Sequence, residues 1–82
     1  MQEFTYQTQG VCSSRIRFTV DQGILVNVRF EDGCEGNLEG LSQLATGRPV
    51  TEVIGLLKGI RCGGKSTSCP DQLAKALAAA TQ

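Results

Sequence analysis

The chain has 82 residues, enough for one domain and no more. Its eight basic and eight acidic side chains cancel, and the basic ones are scattered, which argues against a nucleic-acid footprint. Tyr6 is the single tyrosine and tryptophan is absent, so the stacking platform of single-strand binders is largely missing.

Histidine is absent as well. That excludes a Ser-His-Asp catalyst and removes the commonest proton shuttle and nitrogen metal ligand. The stretch from Met1 to Gly10 is polar and does not resemble a signal peptide. No run approaches the ~18 apolar residues of a membrane span. The expected setting is the cytoplasm, where thiols stay reduced and spaced cysteines more often bind metal than form disulfides.

The first third predicts strands at about 3–8, 14–20 and 24–31. Phe4 to Thr8 alternates aromatic and polar side chains. Ile16, Phe18 and Val20 share one face of the second strand, and Ile24, Val26, Val28 and Phe30 share one face of the third. Asp21-Gln22-Gly23 between them is a hairpin turn signal. The opposite face carries Arg15, Arg17, Asn27 and Arg29, so the sheet is expected to be covered on one side only.

The period then changes to that of helices, predicted at about 37–46, 49–58 and 69–80. Leu38, Leu41, Leu44 and Ala45 form the first apolar stripe, with Asn37 as a candidate cap and Gly47 as the stop. Pro49 suits the start of the second helix, whose stripe is Val50, Val53, Ile54 and Leu57, and Gly59 ends it. Ser68 followed by Asp71 resembles a capping box with the shorter acid, and Leu73, Ala74, Leu77 and Ala78 face inward. Strands followed by helices predict an α+β fold: a three-stranded antiparallel sheet with three helices on one face.

Four cysteines, Cys12, Cys34, Cys62 and Cys69, sit at element boundaries. A hairpin of strands two and three places Cys12 and Cys34 at the ends away from its turn. Six residues separate Cys62 from Cys69. Topology alone thus lets all four meet as metal ligands. Helix N-termini favour a thiolate through dipole and free N–H groups, and Cys34 and Cys69 lie at such ends. Four thiolates suit tetrahedral zinc first and an iron–sulfur cluster second. Two other readings stay open: cysteines as small buried hydrophobes, and a redox disulfide such as Cys62–Cys69. The intervals of twenty-one, twenty-seven and six residues match no zinc ribbon. Gly63-Gly64-Lys65-Ser66-Thr67 has the ending of a phosphate loop, with Gly59 upstream, but no parallel strand leads into it.

Thr67-Ser68-Cys69-Pro70-Asp71-Gln72-Leu73-Ala74 resembles the signature of the TSCPD domain family. Gly33-Cys34-Glu35-Gly36-Asn37-Leu38, Gly47-Arg48-Pro49-Val50-Thr51-Glu52-Val53-Ile54 and Gly59-Ile60-Arg61-Cys62-Gly63 look like its other motifs. The same domain occurs at the C-terminus of some cobalamin-dependent class II ribonucleotide reductases. The resemblance therefore implies ribonucleotide reductase, or another protein, as a partner. The reductase reaction needs a barrel, a radical-bearing cysteine and a nucleotide pocket, so an 82-residue chain resembles an accessory module rather than the enzyme. A fainter similarity is to U-type iron–sulfur scaffolds. Cys12, Cys34 and Cys69 fall at their ligand positions, Ser13 or Ser14 replaces their aspartate, and Cys62 is extra.

Overall fold

The molecule is described here by a computed structural model over residues 1–11, 13–33 and 35–81. The element order is β1 (Gln2–Gln7), β2 (Arg15–Asp21), β3 (Ile24–Glu31), α1 (Glu35–Ala45), α2 (Val50–Leu57) and α3 (Cys69–Ala80). The expected α+β architecture is present: an antiparallel sheet in the order β1-β2-β3, with three helices.

The hairpin turn is tighter than its three-residue signal. Asp21 pairs with Ile24, leaving only Gln22 and Gly23 in the turn. Both have positive φ, 51° and 80°. That is the type I′ pattern, whose twist matches the flanking strands, and glycine adopts it without a Cβ penalty.

The expected inward face of β3 is corrected by a bulge. Thr19 pairs with Asn27 and Val20 with Leu25, so Val26 has no partner across the ladder. One extra residue shifts the side-chain alternation by one position. Leu25 is therefore fully buried, while Val26 is 39% exposed and Ile24 only half-buried. Beyond the bulge the predicted alternation holds, with Val28 buried and Phe30 packed against the core.

Ile16, Phe18, Val20, Leu25 and Val28 meet Ala45, Val50, Val53, Leu73, Ala76 and Leu77 in one core. Phe4 stacks on Phe18 with ring centroids 5.2 Å apart. The other sheet face is polar, and there Glu31 pairs with Arg15 at 3.1 Å and Arg17 at 2.7 Å. The α1–α2 connection docks on the start of β3: Gly47 N–H donates to Leu25 O (2.7 Å), and Val50 N–H to Gly23 O (2.8 Å).

Two helix expectations change. Leu44 is 68% exposed. At 100° per residue it lies well round the helix from Leu38 and Ala45, which are the buried positions. Asn37 lies inside α1 rather than capping it. Pro49 takes the N-cap position of α2, with φ −58° and ψ 139°.

Candidate thiolate site

The start of α3 is built from its own sequence. Ser68 is extended (φ −152°, ψ 171°), and its Oγ accepts the Asp71 N–H at 3.1 Å. This N-cap satisfies a free helix donor, and Pro70 in the first turn has no N–H to satisfy. Ser68 Oγ also donates to Ile60 O at 2.6 Å. Cys69 is buried, 7% exposed, and its Sγ lies 3.2 Å from Ser13 Oγ. That contact joins the entry to β2 with the start of α3.

Asp71 takes a different task from the one a capping box assigns. Its carboxylate does not complete the box; it reaches across to the preceding loop. Oδ1 accepts the Gly59 N–H at 2.7 Å, and Oδ2 accepts the Thr67 hydroxyl and pairs with Lys75 Nζ at 3.3 Å. The Asp71 side chain is only 6% exposed. The Thr67 hydroxyl bond, and next the Gly59 N–H, hold its carboxyl below the ordinary carboxylate range. Burial opposes them, and Lys75 adds to the lowering. Gly59 has φ +85°, a conformation suited to glycine, and this presents its N–H to the carboxylate. Gln72 closes the network: Nε2 donates to Thr67 Oγ1 (3.0 Å), and Oε1 accepts from Gln9 N–H (3.2 Å). Among the described residues every buried side-chain nitrogen and oxygen has a partner.

Cys62 and Cys69 are free thiols, the first exposed and the second buried. Cys62 N–H donates to Thr67 O at 3.2 Å, and Lys65 N–H donates to Cys62 O at 3.0 Å. The segment with a phosphate-loop ending is thus a turn folded back on Cys62. Cys12 and Cys34 lie outside the described residues, but their chain neighbours are tied together. Ser14 N–H donates to Glu31 O (2.8 Å) and Ser14 Oγ to Asp32 Oδ2 (2.6 Å). Among the described residues no three of His, Cys, Asp or Glu are placed to hold a metal ion, and only two of the four cysteines are among those residues.

Ser13, Gly59, Thr67 and Gln72 belong to this site, and local sequence patterning did not mark their roles. Gly59 read as a helix stop, and Thr67 and Gln72 entered only as members of the family signature. The available signal was a run of polar residues immediately before an apolar helix, which calls for buried partners.

The TSCPD domain family model matches residues 2–81, nearly the whole chain. The chain belongs to the TSCPD domain family. In this TSCPD domain the signature residues have visible tasks. Ser68 caps α3, Pro70 fits its first turn, and Thr67 and Asp71 bond each other across Cys69. No curated protein and no solved structure matches the chain. Among the described residues no helix of the TSCPD domain is long and apolar enough to cross a membrane.

Proposed function

We propose that this TSCPD domain is a thiolate metal-binding module, with zinc as its first ligand and an iron–sulfur cluster as the alternative. The contact between Ser13 Oγ and Cys69 Sγ carries the reading. It sets the residue that follows Cys12 against the Cys69 thiol, across 56 positions of sequence. The bonds from Ser14 to Glu31 and Asp32 support it by tying the segment after Cys12 to the segment before Cys34. With no histidine in the chain, the available soft donors are sulfur, which suits both cargoes. A bound metal would add folding free energy to a small core.

The test is metal analysis of protein purified without added metal, alongside Cys69→Ser. The expected result is about one zinc per chain, or iron with acid-labile sulfide, lost in the variant. Metal-free wild-type protein whose thiols react as fast folded as denatured would end this reading.

A second reading, a protein–protein module of ribonucleotide reductase, is favoured by apolar side chains beside the Cys62 loop. Leu56 is 59% exposed and Ile60 41%. The resemblance to the C-terminal domain of some class II ribonucleotide reductases suggests the reductase as the partner. Direct binding of purified reductase, weakened by Leu56→Ser, is the expected result. No binding at high micromolar concentration would rule this reading out.

A further inference from the structure

We infer that Asp71 is a positioning residue for the Cys62 thiol: its carboxylate fastens both ends of the Cys62-bearing loop to the first turn of the helix that carries Cys69. The inference rests on the metal-binding reading for its consequence, but its geometry stands on hydrogen bonds alone.

Residues 60 to 66 are all exposed. Burial therefore does little to place this loop, and loops without apolar anchors open at low free energy. What holds it is a short set of polar bonds. Asp71 Oδ1 takes the Gly59 N–H before the loop, and Oδ2 takes the Thr67 hydroxyl after it. Ser68 Oγ binds Ile60 O, and Thr67 O accepts the Cys62 N–H itself. One carboxylate thus spans the loop's mouth, and Thr67 passes the constraint directly to the Cys62 backbone.

The chemistry needs a carboxylate and not merely a group of its size. Thr67 Oγ1 already accepts Gln72 Nε2, so its own proton must go to an acceptor. Asparagine at position 71 could still accept from Gly59. Its NH₂ group, however, would confront the Thr67 hydroxyl with a second donor. Metal sites demand sulfurs about 2.3 Å from the ion, so loosening the loop moves Cys62 out of reach. Loss of such outer-shell support typically weakens metal affinity about 10–100-fold.

The experiment uses the full chain as wild type, Asp71→Asn, Cys62→Ser and, as a remote control, Thr81→Ala at the far end of α3. Amide exchange in metal-free protein is read at Gly59 and Cys62 against Leu73 in the core. Asp71→Asn should speed Cys62 about tenfold or more relative to Leu73, and Gly59 less, since asparagine still accepts its N–H. Titration with cobalt(II) should then show about 10–100-fold weaker binding. The thiolate absorption should match that of Cys62→Ser, while Thr81→Ala keeps the wild-type spectrum. Unchanged exchange at Cys62, or a full wild-type cobalt–thiolate spectrum in Asp71→Asn, would overturn the inference. If wild-type protein binds no cobalt, the metal reading falls and the exchange data alone decide the positioning role. Should Asp71→Asn fail to fold, Thr67→Val removes the same hydroxyl bond at nearly constant volume and is read by the same criteria.

Discussion

The two halves of α3 bury different surfaces. Its later turns press Leu73, Ala76 and Leu77 into the apolar core. Its first turn buries Asp71 and Gln72 with the preceding Thr67 and Ser68, and all four bury polar groups. Apolar packing is non-directional and responds to lost volume in graded steps. A buried polar network depends on each donor meeting its own acceptor, so one missing member leaves the others stranded. The apolar half holds the helix on the sheet; the polar half decides where the loop beside it lies.

The largest effect should come from the apolar half. Leu77→Ala removes a fully buried side chain and should cost about 2–5 kcal/mol, read from urea unfolding. A cost below about 1 kcal/mol would mean that the end of α3 is not core. Asp71→Ala strands the Gly59 N–H and the Thr67 hydroxyl and should cost about 1.5–3 kcal/mol. Its diagnostic is pH. The folded carboxyl lies below its unfolded value of about 3.9, so its contribution is fully present above that value. The contribution is lost as pH falls through the folded value. Wild-type stability should therefore drop more steeply than that of Asp71→Ala below about pH 4, and parallel acid limbs would show that the carboxylate is not engaged. Ser68→Ala removes one N-cap acceptor and should cost about 1 kcal/mol. Leu44→Gln, on the exposed flank of α1, should stay within about 0.5 kcal/mol in the same assay.

The comparison also explains what the sequence revealed. Periodic features were legible: the alternation of Ile16, Phe18 and Val20, and the stripes of α2 and α3, needed only local spacing. The bulge at Val26 was not, because Ile24, Leu25 and Val26 are all apolar and any of them fits an inward position. Leu44 misled for a related reason, since leucine at the edge of a stripe satisfies the period without being buried. In the candidate site, Ser68 and Cys69 were legible from the cap pattern. The bond from Asp71 to Gly59 spans 12 positions and was not, because no period marks a hydrogen bond across a loop. Ser13 was hidden in the same way, as a serine beside a cysteine whose partner lies in another element.

That long-range pair has a kinetic side. The β2–β3 hairpin closes through a two-residue turn, and hairpins form in about 1–10 μs. The contact of Ser13 with Cys69 closes far more chain, and its entropic cost must be met before it yields anything. The contact around Cys69 should therefore assemble after the sheet, on the native side of the folding barrier. Ser13→Ala is then expected to speed unfolding while leaving the refolding rate nearly unchanged in stopped-flow measurements, and a slowed refolding arm would instead place this closure in the nucleus.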